Sequence, residues 1–210
     1  MIHLYCATAN PDKLREFRMA AAGPSPTPLL AIDPLPGLAD LAPCVEDGVS
    51  FEQNAILKAR YYGKHAPGLL FAEDSGLEAD ALGGAPGIYS ARFAGPQATG
   101  EANNRLLLEK LQNAPVRSAR YVCVVALVDS GQLLHTFRGT VEGEIAREPR
   151  GSNGFGYDPL FYYPPFGCTF GETAPERKWQ VSHRGKAFRA MLDWLLAAPT
   201  HERSYGTKIS

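Results

Sequence analysis

Short unbroken apolar runs and stretches of helical spacing take turns along this chain. Residues 2–7, Ile-His-Leu-Tyr-Cys-Ala, predict a short buried strand. Asn10 then offers a helix N-cap and Pro11 a first helical residue, with Leu14, Phe17 and Arg18 carrying a helix towards Ala22. Residues 23–44 hold six prolines and no period, so they read as an irregular connection with one short strand near Leu29–Ile32. Ser50-Phe51-Glu52-Gln53 is a capping box, and Ala55, Ile56, Ala59 and Tyr62 continue the helix it opens. The apolar run Leu69–Ala72 predicts a buried strand that ends in Glu73-Asp74-Ser75-Gly76, read as paired carboxylates and a glycine turn.

Gly83-Gly84-Ala85-Pro86-Gly87 must be a loop, and 88–93 has no period. Ala102–Gln112 predicts an amphipathic helix with Leu106, Leu107 and Leu111 on one face. Arg120–Asp129 reads as a strand that turns at Asp129-Ser130-Gly131 into Gln132–Arg138; Gly139–Ala146 predicts a third strand and Pro159–Tyr163 another. Residues 164–176 are expected to be a mobile loop. Ala187, Phe188, Met191, Leu192, Leu195 and Leu196 recur at helical spacing and close the core. Pro199–Ser210 carries no pattern and is expected to be a disordered tail. Strands alternating with helices make this an α/β chain, with residues 1–197 as a single domain, and its length allows one core built as two lobes.

Composition narrows the function classes. The chain is 45% hydrophobic and 20% charged with a net charge of −1, which fits a globular protein and lacks the basic face that a nucleic-acid binder needs. No apolar stretch reaches the ~18 residues of a membrane span, and the N-terminus shows no signal-peptide pattern. Cys6, Cys44, Cys123 and Cys168 form no CxxC pair, so a zinc site is not expected and a reducing cytoplasm fits best.

Candidate chemistry collects at a few places. Glu73 and Asp74 are neighbours on a strand, so they face opposite sides and have different jobs. A carboxylate on a buried strand needs a partner, and an oxygen-only site suits Mg2+. Glu46, just ahead of the Ser50 helix, could reach the same ion as Asp74. The turn Thr8-Ala9-Asn10-Pro11-Asp12-Lys13 joins a strand to a helix N-terminus, where free N–H groups and the dipole favour an anion. Lys13 adds a point charge suited to phosphate, and Arg92 is a further candidate; Lys58 shares a helix face with Asn54 and by itself reads as a solvated surface lysine. Phe155 and Tyr157, in the glycine-rich segment Arg150–Asp158, offer ring faces on which a purine could stack. His183 and Arg184 stand near the start of the last helix, where cations oppose the dipole, which hints at a ligand or an acidic partner. Together these parts suit a nucleoside polyphosphate with Mg2+.

The same segments resemble the inosine triphosphate pyrophosphatase family. They are Thr8–Lys13, Phe51–Arg60, Glu73–Leu77, Gly83–Arg92, Gly154–Pro159 and Ser182–Gly185, in family order over nearly the whole chain. The resemblance implies a long mixed β-sheet between two α/β lobes with the nucleotide in the cleft, and a homodimer. It implies hydrolysis of ITP, dITP and XTP to the monophosphate and pyrophosphate. It makes Asp74 the general base and a metal ligand, with Glu46 and Glu73 completing the metal set. Thr8–Lys13, Lys58 and Ser75 match positions around the phosphates. Phe155, Gly156, Tyr157 and Asp158 match the nucleoside segment, and Lys178, His183 and Arg184 the residues near the base. Glu73 stands where many bacterial members carry Asp, and Trp179 where a small polar residue is common. Two alternatives stay open: a pyrophosphatase for pyrimidine or modified nucleotides, and a non-catalytic nucleotide sensor.

Overall fold

The computed structural model describes residues 2–8, 10–21 and 30–197; Met1, Ala9, residues 22–29 of the proline-rich connection and the 198–210 tail lie outside the described residues. The strands are β1 (Ile2–Cys6), β2 (Leu30–Pro34), β3 (Leu69–Ala79), β4 (Ser118–Asp129), β5 (Gln132–Ile145), β6 (Phe161–Tyr163) and β7 (Cys168–Thr169). They form one sheet in the order β2-β1-β3-β4-β5-β6-β7. The β1–β2 and β1–β3 pairings are parallel and the others antiparallel. The helices are α1 (Pro11–Ala21), α2 (Phe51–Gly63), α3 (Gly100–Lys110), α4 (Pro175–Val181) and α5 (His183–Ala197). This is the expected α/β class with a mixed sheet.

Alternation along the long central strands sorts the core. Leu70 and Ala72 of β3, with Val122, Val124, Ala126 and Val128 of β4, face α2 through Phe51, Ala55 and Ala59. Phe71, Cys123, Val125 and Phe137 face the other side, against Phe17 of α1 and Phe188 and Met191 of α5. Further along that same side, Leu77, Tyr121, Val141 and Ile145 pack against Leu107 of α3 and against Tyr157, Phe161 and Phe170. Two packed bodies thus share one face of one sheet, and a cleft opens between them. On the α2 side, the far end of the sheet is polar: Arg120 pairs with Glu78, Asp80 and Glu142 at 3.6, 2.9 and 3.1 Å.

Several expectations are corrected. β3 does not end at Gly76 but runs on to Ala79, with Asp74 opposite Val124 and Gly76 opposite Val122. Gly76 marks a close approach instead of a turn: a Cβ there would collide with Ser90 and Gly87 of the loop laid across the strand. Gly139–Ala146 is no third strand, because β5 continues unbroken from Gln132 to Ile145. Residues 164–176 are not a mobile loop; they carry β7, a capping box between Thr169 and Glu172, and the start of α4.

Gly139 fixes the seat of α5. A Cβ there would meet His183 O and lie 2.6 Å from Ala187 N, both on the first turns of that helix. Gly139→Ala is therefore expected to cost about 1–3 kcal/mol, the usual penalty of overpacking. A lowered Tm, together with lost activity because His183 and Arg184 shift, is the expected reading in thermal melts and rate assays.

Candidate active site

The site is built where β3 loses its neighbour. β1 pairs with β3 only at Tyr5–Leu70 and Cys6–Phe71. Ala7 N–H adds a last bond to Phe71 O at 3.0 Å. Among the described residues, the next group on that edge to find a partner is Leu77 N–H, which donates to Ser90 Oγ at 2.8 Å. Between them lie Glu73, Asp74 and Ser75. The gap lets one ligand reach side chains on both faces of the sheet.

Asp74 points to the α2 face. Lys58 Nζ stands 3.2 Å from its Oδ1 and 2.9 Å from Glu46 Oε2. Asn54 Nδ2 donates to Asp74 Oδ2 at 3.3 Å, while Asn54 Oδ1 accepts from Gly48 N–H at 2.9 Å and so fixes the Glu46 loop. Half of the expected capping box forms: Ser50 Oγ accepts from Gln53 N–H, while Gln53 Oε1 accepts from Val49 N–H, one residue before the cap. That cap starts α2 at the phase that brings Asn54 and Lys58, one turn apart, over Asp74. Burial pushes the Asp74 carboxyl above its usual range, and Glu73 adds to this against the pull of Lys58. Burial opposes the charge on Lys58, but Asp74 and Glu46 outweigh it and hold the ammonium protonated.

Glu73 and Ser75 point to the opposite face. Glu73, its side chain 2% exposed, pairs with Lys13 Nζ at 2.5 Å and with Arg184 Nη2 at 3.7 Å. Burial by itself would raise the Glu73 carboxyl; the two cations hold it well below the usual range. Arg184 also donates to Ser75 Oγ at 3.0 Å and to Glu16 at 2.6 Å. Lys178 completes the wall, 3.2 Å from Glu16 and 2.6 Å from Asp158. Asp158 in turn accepts from Phe155 N–H at 2.9 Å and from Tyr121 OH at 3.3 Å. His183 stacks on Tyr121 at 4.6 Å between ring centroids. Burial, with Arg184 and Lys178 beside it, pushes the His183 imidazole well below its usual range, so it is neutral at pH 7. Its Nδ1 has no hydrogen-bond partner among the described residues.

A cavity of about 280 Å³ lies among these groups. Asn10, Lys13, Ser75, Phe155, Gly156, Tyr157, Asp158, Lys178, His183 and Arg184 all line it, so ten of the candidates converge from separate parts of the chain. Not every candidate is placed as expected. Asn10 caps α1 by accepting from the N–H groups of Asp12 and Lys13, which occupies donors expected to be free for an anion. Thr8 Oγ1 accepts from Asn10 N–H and shapes that turn. Asp12 pairs outward with Arg15 at 3.0 Å, and Pro11 is exposed. Ala9 is among the residues outside the description. Tyr157 is not a free stacking face, because it is 4% exposed and its hydroxyl donates to Ser90 O at 2.8 Å. Phe155 is the more open ring of the two, and it lies 5.2 Å from Lys178 Nζ and 5.4 Å from Arg184 Cζ. Arg92 lines a different cavity and rests on Tyr89.

Glu16 and Tyr121 escaped sequence reading. Glu16 falls on the same face of α1 as Lys13, which was the one available signal. Its partners Lys178 and Arg184 come from the far end of the chain, so nothing local revealed it. Burial pushes the Glu16 carboxyl up, but Arg184 and Lys178 hold it below its usual range.

The metal set also separates. Among the described residues, no three Asp, Glu, His or Cys side chains gather closely enough to hold an ion by themselves. Asp74 and Glu46 nevertheless converge on one ammonium, so both carboxylates already address a single positive charge. Mg2+ commonly takes one or two carboxylates and completes its shell with waters and substrate phosphates, so this pair fits. Glu73 does not belong to that pair, since it faces the other side and is engaged by Lys13 and Arg184.

Fold and site together define an α/β protein whose cleft gathers buried cations and an aromatic ring, a lining suited to an anionic, ring-bearing ligand. Comparison with known proteins agrees. Residues 4–194 match the Ham1 family. A dITP/XTP pyrophosphatase of Acidobacterium capsulatum is 45% identical over 198 residues, covering 90% of this chain and 96% of its own. One from Thermus thermophilus is 47% identical, covering 89% and 88%. The solved structure of a HAM1 protein from Coxiella burnetii superposes with a TM-score of 0.83 at 37% identity, covering 94% of this chain and all of that one. The chain belongs to the Ham1 family.

Proposed function

We propose that the protein hydrolyses non-standard purine nucleoside triphosphates, ITP, dITP and XTP, to the monophosphate and pyrophosphate. One observation carries the reading: consecutive residues Asp74 and Ser75 serve opposite faces at an open strand edge, one beside Glu46 and Lys58, the other beside the base-side donors. The names of the relatives supply the substrate class.

The triphosphate lies across the edge of β3, with Asn10, Lys13 and Ser75 below it and Lys58 beyond. Asp74 and Glu46 would hold Mg2+, which when bound neutralises phosphate charge and polarises a phosphoryl oxygen. Asp74 orients the attacking water and takes its proton; a raised carboxyl suits a general base working near neutrality. Lys13 and Lys58 stabilise the charge that gathers on departing pyrophosphate. At the other end, the purine packs on Phe155. Lys178 and Arg184 donate, so a 6-oxo group is accepted and a 6-amino group leaves buried donors unpaired. Sites of this kind discriminate by ~10⁴-fold or more. A homodimer and a cytoplasmic location belong to the same proposal. Four free thiols support the location, and no helix among the described residues is long and apolar enough to cross a membrane.

The test is pyrophosphate release from ITP, XTP, GTP, ATP and dTTP with Mg2+. Fast release from ITP and XTP is expected. Faster release from dTTP than from ITP would instead favour a pyrimidine enzyme, and nucleotide binding with no release from any of them a sensor.

A further inference from the structure

Beyond the individual contacts, the buried charges form one continuous line. Lys13 meets Glu73 at 2.5 Å, Glu73 meets Arg184 at 3.7 Å, Arg184 meets Glu16 at 2.6 Å, Glu16 meets Lys178 at 3.2 Å and Lys178 meets Asp158 at 2.6 Å. Signs alternate along it without a repeat. One end, Lys13, belongs to the phosphate side of the cleft. The other, Asp158, holds the backbone of Phe155 on the base side. Glu73 is the link between the halves, and a single oxygen, Oε1, faces both Lys13 and Arg184.

We propose that Glu73 is a positioning residue that couples the phosphate and base ends of the cleft, so that filling one tightens the other. This rests on the proposed function, which assigns those two ends. The physical reason is compensation of a buried charge. Among the described residues, Glu73 also accepts from the Cys123 thiol at 3.4 Å, which brings no charge. When a phosphate draws Lys13 towards itself, the Glu73 carboxylate is left inside the protein with Arg184 as the other cation paired with it among the described residues. An unpaired buried carboxylate is costly, so Arg184 closes on it from the looser 3.7 Å contact. That fixes the guanidinium whose other nitrogen sets Glu16, and through Glu16 the Lys178 ammonium. The base-reading donors are thereby ordered before the base arrives. The first ligand meets the ordering cost and the second binds more tightly.

The experiment is calorimetric titration of inosine monophosphate and of inorganic pyrophosphate, each alone and each in the presence of the other, in Mg2+ buffer. The wild type is expected to bind each about fivefold or more tightly when the other is present, with the same factor in both directions, as linkage requires. In Glu73→Gln the factor is expected to fall to about one, while each ligand alone keeps its affinity within a few-fold. A merely structural role for Glu73 would weaken both single affinities and leave the factor alone. Should Glu73→Gln fail to fold, Glu73→Asp is read in the same titration; its shorter side chain cannot span both cations, and the factor is expected to drop. A wild-type factor of one, or an undiminished factor in whichever variant folds, would overturn the role given to Glu73. Failure of either ligand to bind the wild type alone would overturn the functional reading itself, and this proposal with it.

Discussion

Asp74→Asn is expected to reduce turnover of ITP by about 10³-fold or more while nucleotide binding survives. A positioned general base is worth about 10²–10⁴-fold, and this carboxylate is also one of the two that would hold Mg2+. The substitution is nearly isosteric, so Asn54, Lys58 and the Glu46 loop keep their places. Stability should not suffer. The folded state raises the Asp74 carboxyl, so the native protein favours its neutral form. For such a group, stability is lost as pH rises through its titration range, and Asn removes that loss. At pH 7 the variant's Tm is therefore expected to equal or exceed that of the wild type. In the metal-free protein the same displacement places the Asp74 titration above the ordinary carboxylate range; Mg2+ held by the carboxylate would lower it, so the acid limb of the activity profile is expected to move to lower pH as Mg2+ is raised. Pyrophosphate release against pH and Mg2+ concentration, with thermal melts alongside, checks all three points. Residual activity in the variant with an unchanged acid limb would remove Asp74 from the role of base.

The sequence made the elements of this site easier to read than its geometry. The cap at Ser50, the cap at Asn10, the β4–β5 turn and the apolar stripe of α5 are all local signals, and the structure contains each of them. Glu73-Asp74-Ser75-Gly76 misled for a physical reason. Two carboxylates and a glycine inside a strand are costly in isolation, so they read as its end. The strand continues because Lys58 and Arg184 supply charge on opposite faces and β4 supplies a backbone partner throughout. Alternation did predict that Glu73 and Asp74 would differ, but not which cations each would meet. The unfavourable placing of Arg184 at a helix start was a true signal of an acidic partner. That partner turned out to be Glu16 and Glu73 together, from α1 and β3, and no sequence spacing connects them.

Arg184→Met is expected to lose both stability and selectivity, and the two losses have separate causes. The side chain is 3% exposed and pairs with Glu16 and Glu73. Removing one partner of a buried ion pair costs about 3–5 kcal/mol, because the carboxylates that remain lack compensation. In a protein of this size each kcal/mol moves Tm by about 2–4 °C, so a fall of roughly 6–20 °C is expected. Selectivity falls because a charged donor to the 6-oxo group is gone. Such a hydrogen bond is worth about 1.5–3 kcal/mol, or roughly a 10- to 100-fold drop in the preference for ITP over ATP. Arg184→Lys separates the causes. It keeps the positive charge and should recover much of the Tm, but it lacks the planar fork that reaches Ser75 and Glu16 together and is proposed to read the base, so selectivity should stay low. A lysine variant with wild-type selectivity would show that charge, and not the fork, reads the base. Acid gives a further check on the ion pairs. The folded state lowers the Glu16 and Glu73 carboxyls, so their stabilisation is present above the ordinary carboxylate range and is lost as pH falls through their folded values. The Tm gap between wild type and Arg184→Met should therefore be widest near neutrality and narrow as the solution is made acid.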